Sequence, residues 1–242
     1  MPFDLSPLDA AAVLWFLVAW LGYDPATTRL FPNRNAIHLG MHQVRLEWMR
    51  ALLRREMRMS DAMLIGHTVN SISFFASTTM LVIAGMIGVL GSIDRAFGVI
   101  AGFRFAAPMS ESLFEFKVLA LLVVFAVAFF RFTWALRQFS YYGALIGAAP
   151  SAAERGRHEV AARELEALLS YAITSYNSGL QGYYFAIALL AWFLGPVWFM
   201  LATLGVIVVL YMHHYRSPAA LLISSHMRDK PPPRPRRGAA KH

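Results

Sequence analysis

Residues 167–212 read ALLSYAITSYNSGLQGYYFAIALLAWFLGPVWFMLATLGVIVVLYM, and they decide the fold of this chain. The 46 residues contain no Asp, Glu, Lys or Arg. As one α-helix they would be about 69 Å long at ~1.5 Å per residue, whereas the hydrocarbon core of a bilayer is about 30 Å thick. The stretch is therefore too long for one membrane crossing. Gly195 and Pro196 predict either a kink in one long helix or a helix end followed by a new helix that starts at the proline.

The composition of the whole chain indicates a membrane protein. Of its 242 residues, 57% are hydrophobic and 15% are charged, and the mean hydropathy is +0.49, whereas soluble domains carry about 25% charged residues. The net charge of +8 is typical of nucleic-acid-binding proteins and of the cytoplasmic loops of membrane proteins. Because the chain is so apolar, we expect a multi-pass protein of the cell (inner or plasma) membrane, with no nucleic-acid partner. The absence of cysteine excludes disulfides and thiolate chemistry.

We predict an all-α fold, an integral membrane helical bundle of four or five transmembrane helices with two amphipathic helices at the cytoplasmic face or interface. One transmembrane domain covers residues 1–215. Its spans lie at about 7–23, 62–92, 113–136, 174–194 and 196–215, and its amphipathic helices at about 36–59 and 151–173. The first span is short, because its uncharged part would be only about 21 Å long as a helix. Residues 216–242 form a basic, Pro-rich tail that we expect to be disordered and cytoplasmic.

The distribution of basic residues favours five spans over four. The 22 Lys and Arg include seven in residues 24–61, two in 92–112, four in 137–172 and seven in 213–242. Four spans would place 11 of these residues on one side of the membrane and 9 on the other, which is no bias. A turn at Gly195 and Pro196 adds a fifth span and gives 18 against 2, the asymmetry that cytoplasmic loops show. We therefore predict an external amino terminus and a cytoplasmic tail.

Basic residues near the predicted cytoplasmic face could bind lipid. The helix at 36–59 carries arginines and Glu47 on one narrow face, with Trp48 and Leu52 on the opposite arc. Such a helix suits the headgroup layer, or it packs on the bundle as a cytosolic helix, and the sequence leaves both alternatives open. Arginines at the end of the third span either bind phosphate or anchor that helix. The candidate lipid- or anion-binding residues are Arg131, Arg137, Arg50, Arg54 and Arg58, and the expected partners are the lipid bilayer and anionic lipid headgroups.

Polar residues form a stripe on the second predicted span. They recur at spacings of three, three and four, so they share one helix face. Polar groups in hydrocarbon are costly, and the stripe therefore either lines a polar path or hydrogen-bonds neighbouring helices. The fourth span must also bury Tyr176 and Asn177 among other helices to cross the membrane. The candidate pathway or packing residues are His67, Asn70, Ser73 and Ser77, the adjacent Ser71 and Thr78, and Asn177, Tyr183 and Tyr184 of the fourth span.

Catalytic and metal-binding patterns are weak. His38 and His42 are spaced i, i+4, and His213 and His214 end the last span, but no HExxH motif, matching acid or cysteine accompanies them. No GxSxG, GxxxxGK[ST] or GxGxxG motif occurs. We expect no metal, no cofactor and no enzymatic activity. An intramembrane or lipid-modifying enzyme is only the third alternative, because such chemistry generally needs a carboxylate or a His pair within the bilayer and only His67 is available there.

From Leu8 to Tyr215 the chain resembles the family of domain of unknown function 599. The matching strings are LDAAAVLWFLVAWLGY (8–23), RLEWM (45–49), NSISFFAST (70–78), RQFSYY (137–142), YNSGLQGYYFA (176–186) and WFLGP (192–196). The resemblance implies an uncharacterised multi-pass membrane protein with no established reaction. It points to Asn70, Ser71, Ser77, Arg137, Asn177, Gly179, Tyr183 and Tyr184. Relatives often carry Arg where this chain has Ser178 and Gln181, and this difference weakens an anion site on that helix.

Two hypotheses for function follow from these features. In the first, the chain is an oligomeric channel or transport component, and the polar stripe faces a central or intrabundle path. In the second, it is a scaffold or interaction protein, in which the polar residues only join helices and the basic helix and tail bind lipid or a partner.

Overall fold

A computed structural model describes residues 5–30, 32–104, 107–151 and 154–215, and within these ranges it places the side chains of 5–23, 40–104, 107–151, 154 and 156–212. The predicted tail at 216–242, the side chain of His38 and those of His213 and His214 lie outside the described part. The helices are α1 (Pro7–Leu30), α2 (Pro32–Arg54), α3 (Met59–Leu90), α4 (Ile93–Ala101), α5 (Glu111–Ala148), α6 (His158–Leu190) and α7 (Pro196–Tyr215). These ranges contain no strand, so the all-α prediction is confirmed for them.

Several helix boundaries differ from the predicted ones. The amphipathic helix at 151–173 and the span at 174–194 form one continuous helix, α6, because no proline interrupts the chain between them. Ser151 Oγ donates to Glu154 Oε1 at 3.1 Å near the start of the predicted amphipathic helix, but regular α6 begins only at His158. Helix α2 ends at Arg54, before the predicted end at residue 59. Helix α4 was not predicted, because its nine residues are too few to show a clear period in the sequence.

Two helices, α5 and α6, form a long hairpin on which the other helices pack. Glycines allow α5 and α6 to approach closely: a Cβ at Gly179 would lie 2.5 Å from the Phe132 ring, and one at Gly182 would lie 3.1 Å from Ala128 Cβ. Helices α1 and α7 pack on one part of the hairpin, around Phe16, Phe185 and Phe199. A second core joins α2 and α3 to the rest of the hairpin.

The chain turns sharply between α6 and α7. A 3-10 turn at Ala191–Leu194 leads to Gly195, whose φ of 129° is strained for residues with a Cβ, and α7 starts at Pro196. The rings of Trp192 and Phe199 then stack with centroids 5.0 Å apart, and α7 lies against both α6 and α1. The structure therefore has a turn at this position, and the alternative of a kinked single helix is wrong.

Two of the described helices, α3 and α5, are long and apolar enough to cross a membrane. Only 17% and 39% of their most apolar segments are buried, whereas the core helix of a soluble protein would be mostly buried. Shorter apolar segments occupy Pro7–Tyr23 and Pro196–Met212. Helix α6 is less apolar because of its polar stretch at 174–181. Exposed apolar helices of this length indicate association with a membrane.

Candidate functional site

The predicted polar stripe lies on the outer surface of α3. His67, Asn70 and Ser77 are exposed, whereas Ser73 is half-buried. Within the described part of the chain, the side chains of His67 and Asn70 have no hydrogen-bond partner. The buried face of α3 is a different one, formed by Ile72, Ala76 and Thr79. The stripe therefore does not line a path inside a single copy of the bundle.

The candidate polar residues next to the stripe also lie at or near the surface of the bundle. The hydroxyl group of Ser71 is exposed and donates to the His67 carbonyl oxygen at 3.1 Å, which satisfies it within the helix. Thr78 is half-buried. Asn177 is exposed on α6, so the expectation that it would be buried among other helices is wrong. The face of α6 that packs against α5 carries small residues such as Gly179. Asn177 lies outside this packed face and is therefore exposed.

The polar contact inside this part of the bundle involves Thr79, which sequence analysis did not single out. Its fully buried hydroxyl group lies 2.7 Å from the Tyr183 hydroxyl group and donates to the Phe75 carbonyl oxygen at 2.6 Å. The Tyr183 ring contacts the rings of Phe75, Phe125 and Phe132. Tyr183 therefore joins α3, α5 and α6, and the half-buried Tyr184 packs against the core with α1 and α7.

A buried polar cluster closes the end of the bundle near the turn at Gly195. We call Asp9, Lys117 and Trp192 the outer polar cluster. The Trp192 indole Nε1–H donates to Asp9 Oδ1 at 2.7 Å, and Lys117 Nζ donates to the Trp192 carbonyl oxygen at 3.0 Å. The Lys117 ammonium also lies 5.3 Å from the centroid of the Trp192 ring. The cluster ties α1 and α5 to the segment that leads into α7.

Two members of the outer polar cluster are charged residues beside apolar runs of the sequence. Asp9 lies in the first turn of α1, where the helix dipole favours an acid, and it accepts a hydrogen bond from Ser6 Oγ at 2.6 Å. Lys117 directly precedes the apolar run at 118–130. Both are buried, with exposed fractions of 6% and 2%, so these isolated charges beside apolar runs mark a buried polar cluster.

At the other end of the hairpin, α2 packs on α6 through a second buried acid. Glu166 is 1% exposed, and its carboxylate contacts His42 Nε2 at 2.8 Å and accepts a hydrogen bond from Ser170 Oγ at 2.5 Å. Arg45 Nη1 donates to Ser170 Oγ at 2.7 Å. His42 thus binds a carboxylate. Within the described part of the chain, no group of three His, Cys, Asp or Glu residues could hold a metal ion.

Helix α2 buries its apolar face in the bundle. Met49, Leu52 and Leu53 are fully buried, and the Tyr142 hydroxyl group donates to Met49 Sδ at 3.1 Å. Burial raises the pKa of Tyr142 above its ordinary value. Of the two alternatives left open by the sequence, the structure therefore has the one in which α2 packs on the other helices.

A third buried acid, Asp61, holds the connection from α2 to α3. Trp48 Nε1 and Arg55 Nη1 donate to Asp61 Oδ1 at 2.8 and 2.5 Å. Burial alone would raise the pKa of Asp61, but these two hydrogen bonds and the Arg55 charge hold it below its ordinary value. In the described part of the chain, Asp61 Oδ2 is the one buried side-chain oxygen or nitrogen atom that has no partner.

Most arginines proposed to bind lipid have partners in the protein. Arg50 forms a bidentate ion pair with Glu159, with distances of 2.9 and 2.6 Å. Arg58 donates to the Ile146 and Pro150 carbonyl oxygens at 3.3 and 2.7 Å. Arg54 is exposed. Lipid binding by these residues stays a prediction.

The arginines of α5 are more available to an anion. Arg131 and Arg137 are both exposed, and they line one shallow surface groove with Thr133 and Trp134. Arg137 Nε donates to the Tyr141 hydroxyl group at 2.8 Å, and its guanidinium lies over the Tyr141 ring. Two cations beside exposed aromatic rings are typical of the membrane interface.

Comparison with known proteins assigns a family. The family model described as "Protein of unknown function, DUF599" matches residues 11–219. No curated protein and no solved structure matches the chain.

Proposed function

The chain belongs to the DUF599 family, as its sequence motifs predicted, and we propose that it is a five-span protein of the inner or plasma membrane that self-associates through α3 and acts as a scaffold. The observation that carries this proposal is the exposed polar face of α3. The amino terminus is external, and α2, the α5–α6 loop and the basic tail are cytoplasmic.

The dimensions of the bundle support the five-span arrangement. Lys117 and Arg137 are 20 residues apart on α5, about 30 Å along the helix axis, which equals the thickness of the hydrocarbon core. The turn at Gly195 directs α7 back along α6, as the fifth span requires. With this topology 18 of the 22 Lys and Arg lie on the cytoplasmic side.

The exposed face of α3 has the pattern of a helix–helix seam. Its exposed residues alternate at spacings of four and three along about seven turns, as in a coiled coil, and small side chains separate several of the large ones. Phe74 and Leu81 are 66% and 74% exposed. In a membrane, small residues allow two helices to approach, and Asn forms hydrogen bonds between them worth about 0.6–2 kcal/mol. The outer face consists of Met63, His67, Asn70, Phe74, Ser77, Leu81, Ala84 and Gly88.

Crosslinking tests the self-association, and the absence of cysteine makes each introduced thiol unique. We expect Ser77→Cys and Ala84→Cys to form disulfide-linked dimers in membranes. Met80→Cys is the matched control, because Met80 is 53% exposed on the same helix but lies off the outer face. Asn70→Leu should lower the crosslinking of Ser77→Cys several-fold. Equal crosslinking at all three positions, or none at any, would contradict the proposal.

A channel or transport component is the second candidate, favoured by the polar residues of the same α3 face. Since the buried side-chain oxygen and nitrogen atoms of the described residues are paired except for Asp61 Oδ2, such a path would lie between copies. Flux of ions or small solutes through reconstituted vesicles tests this candidate. It requires a flux that both Asn70→Leu and Ser77→Leu alter, whereas a scaffold shows none.

A further inference from the structure

A lateral cleft lies between α3, α4, α5 and α6, at the end of the bundle that carries the outer polar cluster. Its volume is about 630 Å³, within the ~300–1,000 Å³ range of ligand pockets. The walls are apolar, with Val99 of α4, Val118 and Leu121 of α5 and Leu190 of α6 among the lining residues. The short helix α4 closes one side of the cleft, which sequence analysis did not predict.

One cation, Arg95, lines this apolar cleft. Arg95 is exposed and makes no ion pair with another described residue. Two acids lie nearby, but Asp94 interacts with Glu111, which raises the pKa of the Glu111 carboxyl above its ordinary value, and Asp94 is on the opposite face of α4 from the cleft. The guanidinium of Arg95 is therefore available to a phosphate group.

We propose that this cleft binds a phospholipid of the outer leaflet, with an acyl chain against the apolar walls and the phosphate on Arg95. The site rests on the membrane placement given under the proposed function, because Arg95 then lies at headgroup level and the cleft opens into the hydrocarbon. It is separate from the self-association face. Met86 and Val89 line the cleft, and at 100° per residue they lie on a different side of α3 from Ala84 and Gly88.

The proposal is tested by measuring how much phospholipid the purified full-length protein binds. The protein is purified in mild detergent, incubated with dioleoyl phosphatidylglycerol or with oleate, and analysed by native mass spectrometry. We expect one phospholipid per chain. Arg95→Gln should weaken its binding about tenfold, since a charge-assisted hydrogen bond is lost. Val99→Trp should also weaken it by filling the mouth of the cleft, where Val99 is 60% exposed and a larger side chain need not disturb the fold.

Matched variants control for charge and size. Arg104→Gln removes an exposed arginine outside the cleft, and Val123→Trp enlarges an exposed valine of α5 that does not line it. Both should retain the phospholipid. The proposal is overturned if the wild-type protein retains no phospholipid, or if all four variants retain phospholipid equally. It is also overturned if oleate binds in place of the phospholipid, or if Val99→Trp disrupts a dimer and leaves phospholipid binding unchanged. Asn70→Leu, which removes self-association, should leave lipid retention unchanged, so that failure of either proposal is recognised separately.

Discussion

Removing one charge of the outer polar cluster should destabilise the bundle more than removing the same charge from a variant that already lacks the other one. Lys117→Met leaves the Asp9 carboxylate buried and leaves the Trp192 carbonyl oxygen without its donor. Loss of one member of a direct buried ion pair costs about 3–5 kcal/mol. Asp9 and Lys117 are joined through Trp192 rather than by a direct ion pair. For this reason, and because Asp9 keeps its hydrogen bonds to Trp192 and Ser6, we expect a smaller cost, about 2 kcal/mol.

The double variant Asp9→Asn/Lys117→Met removes both charges together. It should be less destabilised than the sum of the two single variants, with a coupling free energy of at least about 1 kcal/mol. The free energy of unfolding is measured in mixed detergent micelles by circular dichroism. Glu115→Gln, an exposed acid on the same helix, is the control. Additivity within about 0.5 kcal/mol would show that the charges act independently and would refute the argument.

Three further predictions concern the hairpin, α2 and the topology. Gly179→Ala should cost about 1–3 kcal/mol, because the new methyl group overlaps the Phe132 ring, and thermal unfolding that matches the wild type would contradict this close contact. The hydrogen bond from Arg50 lowers the pKa of Glu159 to about 2. The stabilising effect of this pair should therefore be complete above about pH 5 and be lost as the pH falls toward 2, and Arg50→Gln should raise the acid midpoint of unfolding. In intact cells an impermeant maleimide should label Ser92→Cys and not Ser225→Cys, whereas labelling of both would place the tail outside.

Periodicity and composition were enough to predict the helices but not their partners. The long apolar runs predicted α3 and α5. Gly195 followed by Pro196 left a kink and a turn open, and the distribution of Lys and Arg favoured the turn, at which Gly195 has a φ of 129°. The same periodicity showed that Asn70 and Ser77 share a face. It could not show that this face is exposed, because the direction of a face depends on which helices pack around it.

The buried acids were missed for a related reason. Asp61 and Glu166 lie at the edges of apolar segments, where charged residues usually mark solvent, and each has a partner on another helix, Trp48 and His42 of α2. The pairing of Glu166 with His42 depends on how α2 folds back over α6, and no local pattern encodes that arrangement. Helix α4 was missed because it is short and lies in a segment that has the length of an ordinary loop.

The uninterrupted course of α6 has a mechanical consequence. The helix runs without a break from the Glu166 contact with α2 to its end at Leu190, two residues before Trp192, a distance of about 36 Å at ~1.5 Å per residue. An unbroken helix has no hinge at which a displacement could be absorbed. A tilt imposed on α6 at the end that contacts α2 would therefore also displace the end next to the outer polar cluster, and with the proposed placement in the membrane this would couple the two sides of the bilayer.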